Sequence, residues 1–409
     1  MAEAARSHAR GRWARPLALL AFGPVLAQAQ APACTPAAPW LFPSQYYVAP
    51  VSARPVGNSL LVIGDPSYRF ATGADGKFVT VDTVLAGVQV SPDGVARAFA
   101  RPASARAFVH PRMVPRSKRR TDVLWSEPDF DAGGTYGAGP HFVRVGTLVD
   151  GDWKEIRALG RFDLNAALTR DMGSDLLTVD GVSYMAFPDE EPVTRKRRIV
   201  LLSDSGGRWA TNRLDFEMVV TGATELGDDS GTLAVIFLGI PRVRPRTEAS
   251  ITSTVWLARR ERDGWSRATQ IGGDAARYVE LPKLVRYGNS LIAAWLKTES
   301  TLTLEWREVT RGRAPGPVHR IEGIGTMAQG QAPFRDLLSL AALDGVGRIV
   351  RLRPDGYDLI AEVRLAAALA PVVAGSRERP WVLTVEPIET PDPGPFRLVA
   401  RDLRCALRR

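Results

Sequence analysis

One strand–turn–strand phrase recurs along this 409-residue chain and restricts its fold more than any other feature of the sequence. In VWLARRERDGWSRATQI (255–271), two stretches suited to β-strands flank a turn with Asp263 and Gly264, and Trp265 opens the second stretch. Similar phrases cover residues 141–159, 197–216, 302–321 and 347–365. A chain built from such repeated hairpins is predicted to be all-β.

The turn glycines of these phrases are spaced at quasi-regular intervals of 55, 58, 48 and 44 residues. They are Gly151, Gly206, Gly264, Gly312 and Gly356. Repeats of this length are typical of β-propellers, in which one four-stranded blade takes ~40–50 residues. Asp-Gly and Gly-Gly pairs tolerate positive φ angles, so we expect two-residue hairpin turns at these glycines. The aromatic residues that follow the turns are expected to pack in the core, and they are Trp153, Trp209, Trp265 and Tyr357.

A second hairpin precedes each phrase. In ELPKLVRYGNSLIAAWLKTES (280–300), a turn around Gly288 joins two apolar stretches. Residues 110–128 and 369–387 repeat it with Trp125 and Trp381, and looser versions cover residues 174–191 and 335–350. One unit therefore contains strand A, a turn, strand B, a longer loop, strand C, a tight turn and strand D, which is a four-stranded antiparallel meander. The most helix-like stretch, residues 362–373, is short and contains Pro371, so no helical class competes.

The number of units predicts a β-propeller of six or seven four-stranded antiparallel blades, with seven favoured. The clear units span residues 108–163, 164–216, 217–275, 276–322 and 323–366. Residues 44–107 contain enough strand-like sequence for another blade, and residues 367–405 resemble a blade without a clean fourth strand. We expect an N-terminal strand to complete that last blade. A closed ring leaves only short strand edges, so a monomer is expected.

The segment LLSDSGGRW resembles the Asp-box hairpin, S-x-D-x-G-x-T-W, of sialidase-like (BNR-repeat) β-propellers. Asp204, Gly206 and Trp209 match the pattern, whereas Leu202 and Arg208 replace its Ser and Thr. The resemblance implies the propeller fold, because the box is a structural hairpin in that family. Sialidases also use an arginine triad, a Tyr–Glu nucleophilic pair and an acid/base Asp. Their early Arg-Ile-Pro motif is missing from this sequence, so no catalytic residue is carried over.

The first residues are similar to an export signal. Four arginines precede the apolar stretch PLALLAFGPVLA (16–27), and AQA, ending at Ala29, fits the small-x-small cleavage pattern. The apolar stretch is too short to span a bilayer as a helix, and no later stretch reaches ~18 apolar residues, so no membrane span is expected. We predict a cleaved signal peptide over residues 1–29, a single propeller domain over 30–409 and a periplasmic or secreted protein. Cleavage would remove four arginines and one glutamate from a chain of net charge +9.

The chain has two cysteines, Cys34 and Cys405, one near each end of the predicted mature protein. In an oxidising compartment this arrangement favours a disulfide, which would pin the closure of the ring. A lipid anchor on Cys34 is the weaker alternative, because the preceding APA lacks the usual leucine and the apolar stretch ends too far upstream.

No motif of a known reaction class is found in the sequence. It contains no G-x-S-x-G elbow, P-loop or H-E-x-x-H motif. His110, His141 and His319 are isolated from one another, which argues against a zinc site, and neither a metal nor a cofactor is expected. The acidic stretches 188–192 and 225–231 fit solvated turns. Their alternative is to supply paired carboxylates for glycoside hydrolysis or oxygens for calcium.

If the protein is an enzyme, the catalytic candidates are three residues at or near innermost strands, whose side chains reach the central channel of a propeller. They are Glu225, Tyr278 and Glu280, with Arg277 and Arg112 as anchors for an anion. Channel-facing residues of this kind can equally be structural.

Three basic runs lie in consecutive units: RSKRR (116–120), TRKRR (194–198) and RVRPR (242–246). The last two fall between strands B and C, and equivalent loops of neighbouring blades lie on one rim. We expect a cationic patch there, formed by Arg195, Lys196, Arg197, Arg198, Arg242, Arg244 and Arg246. RSKRR belongs to an A–B connection and is expected on the opposite rim. Such a patch attracts polyanions, and its alternative is a pair of solvated loops that protect strand edges.

The leading interpretation is an exported, non-catalytic binding or scaffold module for an anionic glycan or a protein partner. The alternative is a sialidase-like glycoside hydrolase or lyase that acts on acidic sugars. Nucleic acid is not expected as a partner, because the aromatic residues lie in strands rather than among the basic residues. Several arginines and a Tyr–Glu pair that converge in the central channel would favour the enzyme. A channel lined by Leu, Ala and Ser would favour the binding module.

Overall fold

The computed structural model of the protein describes residues 40–42, 49–56, 59–65, 69–72, 78–81, 85–90, 96–117, 119–135, 139–164, 174–190, 197–241, 253–273, 279–298, 301–365, 369–387 and 396–403. The signal peptide predicted over residues 1–29 lies outside these ranges, as do Cys34 and Cys405. Signal cleavage and the disulfide therefore stay predictions.

β-Strands are the dominant element of the described residues. In chain order the first strands are β1 (Trp40–Phe42), β2 (Ala49–Val56), β3 (Ser59–Asp65), β4 (Arg69–Thr72), β5 (Phe78–Val81), β6 (Leu85–Val90), β7 (Ala96–Ala100), β8 (Val109–Pro115), β9 (Arg120–Pro128), β10 (Gly139–Val149), β11 (Asp152–Leu164), β12 (Leu177–Val179), β13 (Val182–Glu190), β14 (Arg197–Ser205) and β15 (Arg208–Leu214). The remaining strands are β16 (Met218–Asp229), β17 (Thr232–Pro241), β18 (Thr254–Glu261), β19 (Gly264–Trp265), β20 (Thr269–Gly272), β21 (Val279–Tyr287), β22 (Ser290–Thr298), β23 (Leu302–Glu308), β24 (His319–Glu322), β25 (Ile324–Gln329), β26 (Leu338–Ala342), β27 (Val346–Arg353), β28 (Gly356–Arg364), β29 (Val372–Gly375), β30 (Pro380–Pro387) and β31 (Phe396–Asp402). One short 3-10 helix, Phe130–Ala132, accompanies them.

The described strands pair into seven antiparallel blades. From the channel outwards, the first three blades are β2-β3-β6-β7, β8-β9-β10-β11 and β12-β13-β14-β15, and β4 and β5 form a separate hairpin inserted between β3 and β6. The fourth blade is β16-β17-β18 with an outer strand in two pieces, β19 and β20. The fifth and sixth blades are β21-β22-β23-β24 and β25-β26-β27-β28. The predicted all-β propeller is confirmed, and the number of blades is seven.

The N-terminal strand β1 completes the seventh blade, whose order is β29-β30-β31-β1. Trp40 lies opposite Ala400, and Leu41 lies opposite Val399, in an antiparallel ladder with β31. The first described strand thus closes the ring against the last one, as the sequence predicted. In the resulting topology the A–B and C–D connections lie at one rim, the A–B rim, and the B–C connections lie at the other, the B–C rim.

Seven apolar clusters of described residues lie between neighbouring blades and form the core. Strand β17 shows how one strand serves two of them. Leu233 and Val235 belong to the cluster between blades three and four, whereas Ala234 and Ile236 belong to the cluster between blades four and five. Successive side chains of a strand point to opposite faces, so a strand buried on both faces is an unbroken apolar run.

The aromatic residues that follow the turns pack into these clusters. Trp153 lies edge-on against Trp125, with ring centroids 5.9 Å apart, and Trp265 lies edge-on against Phe216 at 6.3 Å. Trp209 packs against the cluster between blades two and three. Each aromatic ring therefore adds apolar contact between the outer strands of its own blade and the neighbouring blade.

In blade five ten residues, 309–318, connect strands C and D, so the two-residue turn expected at Gly312 is wrong. The two-residue turns described between strands C and D are of two kinds. In blade two the turn residues are Asp150 and Gly151, with φ angles of 50° and 96°, as expected for a primed turn. In blade four Glu261 pairs with Gly264, so the two turn residues precede the glycine, which instead opens strand D. Gly356 opens strand D of blade six in the same way, and its φ is not in the left-handed region. The expected turn at the glycine is therefore wrong for blades four and six, because the ladder register places the turn one residue earlier.

The innermost strands β2, β8, β16, β21 and β25 each carry a register shift against the second strand of their blade. One edge of an innermost strand faces the channel and has no neighbouring strand, so prolines such as Pro111 and Pro282 are tolerated there. Bulges of this kind bend a strand and are common next to functional sites.

Candidate functional site

The centre of the ring contains a buried carboxylate with three partners. Glu225 on β16 is 0% exposed. Its Oε2 accepts a hydrogen bond from Nζ of Lys283, on β21, at 3.1 Å. Its Oε1 accepts from Nη2 of Arg335 at 3.1 Å and from the backbone N–H of Leu226 at 3.0 Å. Two cations thus neutralise this carboxylate, and both of its oxygens are bonded within the protein.

Arg335 reaches Glu225 from the far side of the channel. It belongs to the A–B connection of blade six, residues 330–337. Its Nη1 donates to the carbonyl of Leu176, next to β12 in blade three, at 3.2 Å, and its Nη2 donates to the carbonyl of Leu226 in blade four at 2.7 Å. Blades four and five lie between blades three and six on one side of the ring, and blades seven, one and two lie between them on the other side. The guanidinium therefore crosses the channel.

Two glutamines extend these contacts to further blades. Nε2 of Gln329, a buried side chain, donates to the carbonyl of Leu284 in blade five at 2.6 Å. The backbone N–H of Gln331 donates to the carbonyl of Val373 in blade seven at 2.8 Å, and its Oε1 accepts from a backbone N–H of blade one at 2.5 Å. Residues 330–337 form what we call the channel plug, since this connection, with Gln329 beside it, is bonded to five other blades.

The remaining catalytic candidates are not brought together by the described residues. Tyr278 and Arg277 lie outside the described ranges. Glu280 is partly buried at the start of β21, where that strand shifts register. Arg112 on β8 forms an ion pair with Asp175, with Nε and Oδ1 3.0 Å apart, so its guanidinium is already engaged by a carboxylate.

Two members of the predicted cationic patch are described, and both lie at the B–C rim of blade three. Arg197 and Arg198 begin β14, and Nε of Arg197 donates to Glu190, at the end of β13, at 2.6 Å. The other five members lie outside the described residues, and they are Arg195, Lys196, Arg242, Arg244 and Arg246. They belong to the B–C connections of the adjacent blades three and four.

Arginines on the strands near this rim form ion pairs with neighbouring acids. The pairs are Arg144–Glu127 at 2.9 Å, Arg161–Asp129 at 2.8 Å, Arg197–Glu190 at 2.6 Å and Arg213–Asp189 at 3.3 Å. Burial raises the pKa of Asp189 above its usual value, although Arg213 and the N–H of Asp163 favour its charged form. These four strand arginines are therefore each paired with an acid within the protein.

The RSKRR run lies in the A–B connection of blade two, as the sequence predicts. Arg116 is paired with Asp122 at 2.7 Å and also with Asp204 of blade three. Nε of Arg119 donates to Asp150 at 2.8 Å, and this partner holds the pKa of the carboxyl below its usual value. These two arginines of the run are therefore neutralised within the protein.

Asp204, in the segment that resembles an Asp box, closes its own hairpin. Its Oδ1 accepts a hydrogen bond from the backbone N–H of Gly207 at 2.9 Å, while its other oxygen is bonded to Arg116 of blade two. The side chain is 1% exposed. Asp204 thus stabilises a turn and joins two blades, which is a structural role.

Over the described ranges, no three His, Cys, Asp or Glu side chains converge as ligands for a metal ion. Among those same residues, no helix has the length and apolarity needed to cross a bilayer.

Sequence reasoning missed Arg335 and the channel plug. A signal was nevertheless present, because the hairpin at 335–350 is a loose version of its counterparts. Eight residues separate β25 from β26, whereas two residues separate β21 from β22 in blade five. An unusually long A–B connection in one blade marks the place where the chain enters the channel.

No family model matches the chain, and a search among curated proteins finds no match. Among solved structures, it is similar to the α-L-arabinofuranosidase Arb93A of Fusarium graminearum, with 11% identity, 74% of this chain and 95% of that chain covered and a TM-score of 0.44. It is also similar to the hydrazine synthase of Kuenenia stuttgartiensis, with 12% identity, 81% and 92% covered and a TM-score of 0.48. For a puromycin-hydrolysing peptidase of Mycobacterium tuberculosis, the identity is 12%, the covered shares are 91% and 55% and the TM-score is 0.45. At this level of similarity these proteins assign no activity to the chain.

Proposed function

We propose that the protein is an exported, non-catalytic binding module, whose B–C rim over blades three and four binds an anionic glycan. An acidic protein is the alternative ligand of the same rim. The observation that carries the proposal is the strand topology. Strands β13 and β14 and strands β17 and β18 belong to adjacent blades that share one apolar cluster, so their B–C connections begin and end at one rim.

The charge of these two connections supports the proposal. Residues 191–196 and 242–252 contain five cations and two acids. Clustered arginines attract polyanions at long range and bind their carboxylates and sulfates through two parallel hydrogen bonds. The strand arginines nearby are already paired, so the excess charge is concentrated in the connections.

The state of Glu225 favours a binding module over the glycosidase alternative. A catalytic carboxylate must reach the substrate and exchange a proton with it or attack it. Glu225 is fully buried, and Lys283 and Arg335 occupy its oxygens. Hydrolysis of a fluorogenic sialoside by the wild-type protein, lost in both Glu225→Gln and Tyr278→Phe variants with unchanged melting temperatures, would support the enzyme instead.

The binding proposal is tested with immobilised heparin as the anionic glycan. We expect the wild-type protein to stay bound at about 0.3 M salt, where the screening length falls to about 6 Å. The triple variant R242Q/R244Q/R246Q is expected to elute at lower salt, because it loses three cations from one connection.

The matched control removes three exposed arginines from the A–B rim, in the variant R208Q/R262Q/R267Q. Net charge changes equally in both triple variants, so equal losses of affinity would show non-specific attraction and contradict a site at the B–C rim. If the wild-type protein does not bind the resin but does bind an acidic protein from the same compartment, the alternative ligand is supported.

A further inference from the structure

Blades one and two enclose a cavity of about 400 Å³ at the A–B rim, remote from the proposed glycan surface. Val56, at the end of β2, marks its inner side, and Ala100, on the outermost strand β7, marks its outer side. Asp150 and Gly151, the C–D turn of blade two, border its mouth. Its volume falls within the range of ~300–1,000 Å³ that is typical of small-molecule sites.

The wall on blade one carries two polar side chains, Gln89 and Arg97, beside the apolar Val56, Leu61 and Phe99, whereas an inter-blade face is usually apolar throughout. Leu61, Gln89 and Arg97 lie opposite one another on β3, β6 and β7, so their side chains share one face of the sheet. Only Leu61 of this row belongs to the apolar cluster between blades one and two. The other two residues of the row, Gln89 and Arg97, line the cavity. They place an amide and a guanidinium where the cluster would otherwise have apolar side chains.

The wall on blade two combines an apolar surface with a polar mouth. Leu148 belongs to the same apolar cluster, and Thr121, opposite it on β9, adds a hydroxyl. At the mouth, Nε of Arg119 donates to Asp150 at 2.8 Å, and the backbone N–H of Asp150 donates to the carbonyl of Arg119 at 3.2 Å. These bonds place a guanidinium and a carboxylate next to each other at the entrance, where the Arg119 side chain is 77% exposed.

The charges that line the cavity define its ligand. Arg97 and Arg119 carry two positive charges, and Asp150 is the acid among the lining residues, so one positive charge is in excess. Arg97 is exposed and has no acidic partner among the described residues. A carboxylate on the ligand would neutralise the excess positive charge through two parallel hydrogen bonds to the guanidinium of Arg97.

We propose that this cavity, the blade 1–2 cavity, binds a small hydroxylated carboxylate of the uronic-acid type. The carboxylate pairs with Arg97, hydroxyl groups bond to Gln89, Thr121 and Asp150, and the apolar face of the ring packs on the cluster beneath. This site is separate from the B–C rim, and it does not depend on the function proposed for that rim.

The test measures binding of glucuronate by isothermal titration calorimetry, with glucose as the neutral probe. We expect glucuronate to bind at least tenfold more tightly than glucose. Arg97→Gln is expected to weaken glucuronate binding at least tenfold, because it removes the bidentate partner of the carboxylate. Val56→Phe is expected to do the same by filling part of the cavity without a change of charge, because Val56 lines the cavity and packs on the apolar cluster between blades one and two.

Two controls separate the cavity from general attraction of anions. Arg364→Gln removes an exposed arginine of blade six and is expected to leave glucuronate binding unchanged. R242Q/R244Q/R246Q is also expected to leave it unchanged, whatever that variant does to heparin binding. The proposal is overturned if wild-type protein binds glucuronate no better than glucose, if folded V56F binds as tightly as wild type, or if R364Q loses as much affinity as R97Q.

Discussion

His141 on β10 is a fully buried histidine whose ring is held in one tautomer. Its Nδ1 lies 2.8 Å from the carbonyl oxygen of Gly139, so Nδ1 carries the proton and donates it. Burial lowers the pKa of the ring below 6.5, and this effect outweighs hydrogen bonds to Gly139 and Thr135 and the charge of Asp163. The neutral ring is therefore the native form.

We expect His141 to make the fold sensitive to acid. The unfolded chain takes up a proton near pH 6.5 that the native ring resists, so the free energy of unfolding falls as the pH drops from 6.5 towards the lowered native pKa. In His141→Asn the amide keeps the donor to Gly139 but does not titrate. Urea denaturation should show a smaller loss of stability between about pH 7.5 and pH 5.5 in this variant than in the wild type. Parallel pH profiles for the two proteins would contradict the assignment.

Single residues also differ in how far their roles can be predicted from the sequence. Asp204 is recognisable from the sequence as part of a hairpin motif, and the structure gives it that role through its bond to the N–H of Gly207. Glu225 is a candidate because it lies on an innermost strand, which is correct, but its partners are not visible in its neighbourhood. Arg335 lies 110 residues away in the chain, and no local pattern indicates that it crosses the channel.

At the level of elements, the hairpins illustrate how one dipeptide takes two conformations. Asp150-Gly151 forms the turn itself, whereas in blade four Asp263 is the second turn residue and Gly264 opens strand D, because the strand ladders of the two blades have different registers. Turn chemistry predicts where a hairpin bends to within about two residues. The pairing of the two strands decides which residues take positive φ.

This difference is testable with two glycine substitutions. Gly151 has a φ of 96°, and no heavy atom lies within 4 Å of the position that a Cβ would take, so Gly151→Ala meets no clash and its cost is conformational. We expect a loss of about 1–2 kcal/mol in the free energy of unfolding. Gly356 is not left-handed, and a Cβ there would meet only Arg353 Nη2 at 3.5 Å, so Gly356→Ala should change stability by less than about 0.5 kcal/mol. Equal losses in the two variants, measured by urea denaturation, would refute this account of the turns.

At the level of the whole molecule, the ring is held together in two ways. Seven apolar clusters join each blade to its neighbours, and β1 joins the beginning of the chain to β31. The channel plug adds contacts across the ring, between blades that do not touch through their sheets. Arg335 is central to these contacts because it bonds to blades three and four from blade six.

Removal of Arg335 is therefore expected to destabilise the entire propeller. Arg335→Ala leaves Glu225 buried with Lys283 as its remaining cation, and it leaves two backbone carbonyls without their donor. We expect a loss of about 3 kcal/mol, near the lower end of the range for a broken buried ion pair. The measurement is urea denaturation followed by intrinsic tryptophan fluorescence.

Arg286→Ala is the control for that experiment. Arg286 pairs with Asp228 at 2.8 Å on the surface and is 44% exposed, so its loss should cost less than about 1 kcal/mol. A cost for Arg335→Ala no larger than that of Arg286→Ala would show that the channel plug does not stabilise the ring.

The all-β class, the approximate limits of the blades and the closing N-terminal strand could be read from the chain alone. These features depend on alternation of side chains within a strand and on residues that favour turns, and both are local properties that repeat along the sequence. The partners of Glu225, the channel plug and the blade 1–2 cavity required the folded molecule. Each of them joins side chains from different blades, and only the closure of the ring decides which distant residues meet and which charges are neutralised.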